Sequence, residues 1–166
     1  ATVSRKLAKK KFIDEIIIIT GDKDLMQLVN KKIHLLMPLR GLSETKLFKP
    51  KDVFEKLNVN PNQVVDLKAL MGDMSDNYPG VAGIGPKAAT DLLSQYQNLD
   101  NIYDHLEEIK PTIKEKLVKE KENAYLSQKL ADLIDNIPLD LKIIDSKICP
   151  NTISGLNSVF KDYHFK

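Results

Sequence analysis

The sequence predicts an α/β fold: part of a doubly wound parallel sheet, then a mostly helical region. Three observations predict it. The run "EIIIIT" at 15–20 is too short for a membrane span and too β-branched for a helix, so it reads as a strand buried on both faces of a parallel sheet. The opening order helix, strand, helix, strand is half of a doubly wound pattern. From residue 50 the texture changes to helices with short connections, several with proline near their first turn.

Residues 1–11 carry Val3, Leu7 and Ala8 at helical spacing. After the isoleucine strand, "DLMQLVN" has helical spacing, "KIHLLMP" reads as a second strand, and "GLSETKLF" reads as an edge hairpin or loop. "KPKDVFEKLN" is the next helix. "NPNQVVDLKALMGD" follows, with Asn60 as N-cap and Pro61 in the first turn. In "GPKAATDLLSQYQ", Pro86 marks a first turn and Leu92, Leu93 and Tyr96 share a face. "NLDNIYDHLEEI" and "KPTIKEKLVKEKENAYLSQKLADLI" are helical stretches, "PLDLKII" reads as a strand, and "NTISGLNSVFKDYHF" as an amphipathic tail. The chain therefore divides into a sheet-forming part, 1–49, and a helical part, 50–166.

Composition excludes several classes. With 166 residues and 42% apolar content the chain can bury one core, and its apolar runs are too short for a membrane span. Cys149 has no partner for a disulfide or a zinc site, so it reads as a partly buried thiol, and the whole as a soluble cytoplasmic protein. A net charge of +2 neither demands nor excludes a polyanion, but its distribution is uneven. Arg5, Lys6, Lys9, Lys10 and Lys11 crowd the first residues. The lysines of 110–129 alternate with glutamates, as on a solvated face laced with ion pairs.

The acidic positions carry the chemistry. Asp22 and Asp24 sit where a strand ends and a helix begins, the edge at which open α/β sheets bind ligands. The plain alternative is that Asp22 caps the helix and Asp24 complements its dipole. Asp73 and Asp76 follow the end of a helix, where the dipole disfavours carboxylates, and their spacing brings two like charges together. A lysine or a divalent metal would offset them, and oxygen-only ligands favour magnesium or manganese over zinc. If the two aspartate pairs converge, four carboxylates share one site.

Between these acids and the next helix lies "GVAGIGPKAA". Gly80, Gly83 and Gly85 let another backbone come close, the helix starting at Pro86 offers free amides, and Lys87 adds positive charge, a combination that suits a phosphate. A P-loop is excluded because Pro-Lys-Ala follows Gly85, and the G-x-G-x-x-A match of a dinucleotide fold follows no strand. A helix-hairpin-helix fits the glycine and apolar spacing, with Val81 and Ile84 as anchors; a bare turn is the alternative. His34, His105 and His164 lack the spacing of a catalytic base and read as structural or surface residues.

Taken together, "ITGDKDLMQLV", "LMGDMSDNYPGVAGIGPKAA" and "VFKDYHF" resemble the 5′-nuclease family. That family comprises the 5′→3′ exonuclease domain of bacterial DNA polymerase I, stand-alone bacterial and phage exonucleases, and the flap endonucleases. The resemblance implies a partial PIN-like sheet followed by a helix-hairpin-helix region at about 70–97 that grips duplex DNA. It implies Asp22, Asp24, Asp73 and Asp76 as ligands of Mg2+ or Mn2+ in a two-metal site. It implies Gly80, Gly83, Gly85 and Lys87 as phosphate contacts, with K+ at the hairpin carbonyls. The implied substrate is DNA with a 5′ end or a 5′ flap, and the implied partner a polymerase domain in the same or a separate chain. Further acidic ligands and a basic arch belong upstream in that family, so this chain corresponds to a C-terminal portion, with weak activity expected in isolation. The rival reading is a non-catalytic module that binds duplex DNA.

Overall fold

The structure is a computed structural model that describes residues 1–40 and 44–139. Three strands form one sheet in the order β1 (Ile16–Ile19), β2 (Ile33–Arg40), β3 (Glu44–Phe48). β1 and β2 run parallel, with Ile16 beside Ile33 and Ile19 beside Leu36; β3 returns antiparallel along β2, with Phe48 opposite Leu35. The sheet is thus parallel only at its start, and "SETKLF" supplies its antiparallel edge.

Alternation sets which face of the sheet meets the core. Ile33, Leu35 and Met37 are buried, whereas Ile17 and Ile19 are 48% and 79% exposed. The expectation of a strand buried on both faces is therefore corrected: among the described residues, only one face of β1 is covered. The link from β1 to β2 also differs from the expected α-helix. It is a 3-10 helix over Lys23–Leu28, short enough to turn Met26 and Leu28 into the core before the chain re-enters the sheet.

Helices supply the rest of the core. α1 (Thr2–Ala8) precedes the sheet and α2 (Pro50–Leu57) follows it. A 3-10 turn at Pro61–Gln63 leads into α3 (Val64–Met71), and the hairpin then joins α3 to α4 (Pro86–Tyr96). α5 (Leu99–Asp104), α6 (Pro111–Lys119) and α7 (Lys121–Ala131) complete the described elements. Leu92, Leu93 and Tyr96 are buried as their shared face predicts. α1 forms where the spacing predicts a helix, but Val3 is 40% exposed while Thr2 and Ser4 are buried. Hydrogen bonding explains this, because the Thr2 hydroxyl donates to the Ile134 carbonyl and accepts from the Ile137 amide, and Ser4 donates to the Ala1 carbonyl.

The long stretch 111–131 breaks into two helices at Glu120, whose backbone leaves helical geometry (φ −106°, ψ 22°). The break lets α7 pack along α3 while α6 turns toward the hairpin. The expected ion-pair lacing is thinner than the sequence suggests. Lys114 pairs with Glu107 at 2.6 Å, Lys116 donates to a hairpin carbonyl, and Lys121 lies 5.1 Å from the Tyr103 ring centroid. The expected strand at 138–144, beyond Leu139, and the expected tail at 151–165, with Cys149 and His164, lie outside the described residues. Among the described residues no helix is long and apolar enough to cross a membrane.

Candidate metal centre and nucleic-acid interface

The 3-10 helix and the loop after α3 bring Asp24, Asp73 and Asp76 together: one carboxylate oxygen of each lies within 4.8 Å of the others. Asp24 stands in the first turn after β1. Asp73 and Asp76 stand on a loop closed at both ends, where the Asp73 amide donates to the Tyr78 carbonyl at 3.2 Å and the Tyr78 amide returns a bond at 2.9 Å. Within the loop an oxygen of Asp73 accepts from both the amide and the hydroxyl of Ser75. This leaves the other Asp73 oxygen facing the cluster, where the acids crowd together.

Lys68 of α3 offsets that crowding. Its ammonium bonds Asp24, lies 2.7 Å from Asp73 and 3.8 Å from Asp76, and sits 5.7 Å from the Tyr78 ring centroid. Burial disfavours the ammonium, but the Asp24 and Asp73 carboxylates outweigh burial, so its pKa rises. The Lys68 hydrogen bond, with help from Ser75, holds the Asp73 carboxyl down to about 2. Three carboxylates around one ammonium leave two formal negative charges. The donor set is all oxygen, so the cluster fits one further hard divalent cation.

Asp22 is not brought into the group. One of its oxygens accepts the Asp24 amide at 2.8 Å and caps the 3-10 helix, the plain alternative for that residue. Asp22 acts on the cluster indirectly, by fixing the backbone from which Asp24 projects. His34 contacts Glu15 at 2.7 Å, and His105 stacks on Tyr96, so both are engaged away from the acids.

The hairpin follows directly. Val81 and Ile84 are 2% and 4% exposed, as expected of anchors. The Val81 amide donates to the Leu70 carbonyl, tying the hairpin to the last turn of α3. The glycines divide by role. Gly80 has φ +60°, and a Cβ there would lie 2.2 Å from the Gly72 nitrogen, so two backbone segments abut. Gly83 has φ +80° and faces the Lys116 ammonium, which donates to its carbonyl at 2.9 Å. Gly85 is extended, and a Cβ there would meet open space. Lys87 is exposed in the first turn of α4, beside a groove of about 620 Å³.

The sequence called for an offsetting cation, a lysine or a divalent metal, without pointing to Lys68; Lys68 is the single lysine on α3, and that was the available signal. Two supports carried no local signal. Lys116 and Ser127, whose hydroxyl accepts the Gly80 amide at 3.0 Å, come from α6 and α7.

The family described as "5'-3' exonuclease, C-terminal SAM fold" matches residues 59–153, more than half of the chain. The chain belongs to the 5′→3′ exonuclease family. DNA polymerase I of Lactococcus lactis subsp. cremoris is 37% identical over 152 residues, covering 91% of this chain and 17% of that protein. DNA polymerase I of Caldicellulosiruptor bescii is 44% identical over 133 residues, covering 79% of this chain and 16% of that protein. The chain thus spans about a sixth of the length of these polymerase relatives. Among solved structures, the bacteriophage T5 5′-exonuclease with bound zinc superposes with a TM-score of 0.63 at 27% identity, covering 71% of this chain and 43% of that one. A complex of the T5 flap endonuclease with DNA and metal ions gives a TM-score of 0.63 at 26% identity, covering 72% and 43%. The exonuclease-family fold is thus an α/β sheet followed by a mostly helical hairpin region, as the sequence predicts.

Proposed function

We propose that this chain is the part of a divalent-metal-dependent 5′→3′ exonuclease and 5′-flap endonuclease that holds duplex DNA beside one group of metal-binding carboxylates. The single observation that carries the reading is the convergence of Asp24, Asp73 and Asp76 from two separate segments, directly before the hairpin. Asp24, Asp73 and Asp76 are the residues that hold Mg2+ or Mn2+, and Asp22 holds Asp24 in place. A divalent cation held by Asp24, Asp73 and Asp76 would supply Lewis-acid stabilisation in the hydrolysis of a phosphodiester, as one of two ions once the remaining ligands are present.

The chain's own residues do the rest. Gly85 and the amides opening α4 approach a phosphate of the duplex backbone, and Lys87 adds its charge. Lys116 fixes the hairpin through the Gly83 carbonyl, so the distance from gripped phosphate to acids stays constant. Affinity rests on phosphate contacts and falls with salt. A polymerase domain in the same polypeptide is the partner that the polymerase relatives support.

Lys68 favours one competing reading, a DNA-binding module whose acids are neutralised internally. Mn2+ titration and duplex binding in chelator separate the two. Under the nuclease reading, Asp73→Asn and Asp76→Asn weaken Mn2+ binding about tenfold or more, with duplex affinity retained. Variants that bind Mn2+ as wild type does would overturn the metal assignment.

A further inference from the structure

The opposite end of the sheet carries a second feature, which the acids and the hairpin do not use. β1 and β2 are parallel, so their N-terminal ends lie together, one strand length (~13 Å) from the end that leads to Asp24. The turn 9–12 enters β1 there and the bend 30–32 enters β2. Lys32 joins the two: its ammonium donates to the Lys10 carbonyl at 3.3 Å and the Ile13 carbonyl at 2.7 Å, and its own carbonyl accepts the Ile16 amide. Asn30 stiffens the bend, its side-chain oxygen accepting the amides of Lys32 and Ile33.

This geometry displays Lys9, Lys10, Lys11 and Lys31, all exposed, around Phe12, which is 68% exposed. None of these lysines, nor Lys32, enters an ion pair among the described residues. The neighbouring acids are Asp14 and Glu15, the latter also in contact with His34, so two carboxylates stand against five ammonium groups. Uncompensated ammonium groups repel one another unless a polyanion joins them. An exposed ring among them adds what a polyanion alone does not need, a flat apolar face on which an unpaired base stacks.

We propose that this end of the sheet binds an unpaired nucleic-acid strand, with phosphates on the ammonium groups of Lys9, Lys10, Lys11 and Lys31 and a base on the Phe12 ring. The assignment is independent of the metal and hairpin residues, so either can fail without the other. The side chains of Lys9, Lys10 and Lys11 make no bonds within the described residues, and the backbone carbonyl of Lys10 still anchors Lys32 after they are replaced. The fold is therefore insensitive to the test.

The test is fluorescence anisotropy of the full chain with a labelled oligothymidylate and with a duplex of equal length, across salt from ~50 to ~200 mM. Replacing Lys9, Lys10 and Lys11 with Gln lowers single-strand affinity about tenfold or more and reduces the salt slope by about 2. Replacing the same three with Arg preserves binding. Phe12→Ala costs about tenfold at unchanged slope, and Lys87→Glu lowers duplex affinity without changing single-strand affinity. Single-strand binding unaffected by the Gln variant overturns the proposal. So does a silent Phe12→Ala, which would reduce the patch to a general polyanion surface. Capture of anionic vesicles or an acidic peptide with no single-strand binding would assign the patch to another partner and overturn it equally.

Discussion

Replacing Lys68 with Met keeps the length of the side chain and removes the one positive charge inside the acid cluster. Two carboxylates with oxygens no more than 4.8 Å apart repel by about 3 kcal/mol or more at an effective dielectric of 20. The Asp24 and Asp73 side chains are 15% and 22% exposed, so screening is partial and a loss of about 2 kcal/mol is expected in chelator. For a domain of this size that lowers Tm by about 4 to 8 °C. A divalent cation then replaces the missing ammonium. Saturating Mg2+ at ~100 times its Kd returns about 2.7 kcal/mol, and the variant gains more from Mg2+ than wild type, whose ammonium competes for the same oxygens. Thermal unfolding of both proteins, with chelator and across a magnesium series, measures every quantity. An unchanged Tm in chelator, or equal magnesium gains in the two proteins, would refute the view that Lys68 and a metal serve the same carboxylates.

Three further outcomes follow from the geometry. Gly80→Ala forces a Cβ to 2.2 Å from the Gly72 backbone and is expected to destabilise by about 3 kcal/mol or more, whereas Gly85→Ala changes stability by less than about 0.5 kcal/mol and weakens duplex binding; urea unfolding and anisotropy check both. Ser127→Ala leaves the buried Gly80 amide without its acceptor and costs about 1 to 3 kcal/mol, read from the same unfolding curves. Burial raises the pKa of Asp66, with the Gln128 amide pulling the other way. Because its folded pKa lies above the unfolded value, its contribution is full below pH ~4 and is lost as pH rises through the folded pKa. Wild-type stability should therefore fall with rising pH relative to Asp66→Asn, and parallel profiles for the two proteins would count against the assignment.

Local chemistry made much of this structure legible. Pro61 and Pro86 mark helix starts because proline tolerates the first turn, and Leu92, Leu93 and Tyr96 face the core because their spacing matches the helical period. Val81 and Ile84 are legible as anchors because they are the apolar positions set among the hairpin glycines. The spacing of Asp73 and Asp76 required an offsetting cation, and a cation is there in Lys68. What local pattern could not convey depends on neighbours distant in sequence. Ile17 and Ile19 look identical to their half-buried neighbours Ile16 and Ile18, yet pleating turns them to the uncovered face of β1. Thr2 and Ser4 are buried because hydrogen bonds satisfy them, one with residues more than 130 positions away. Asp22 and Asp24 share a strand-end position that suits a ligand, and the cap that Asp22 makes for the Asp24 amide is what separates them.

The most direct measurement is a crystal structure of the chain soaked with Mn2+, using anomalous scattering to locate the ion. A peak is expected between Asp24, Asp73 and Asp76, at about 2.0 to 2.2 Å from their oxygens, with the Lys68 ammonium displaced toward the Tyr78 ring. A cluster still closed on Lys68, with no ion bound at saturating Mn2+, would contradict the metal assignment.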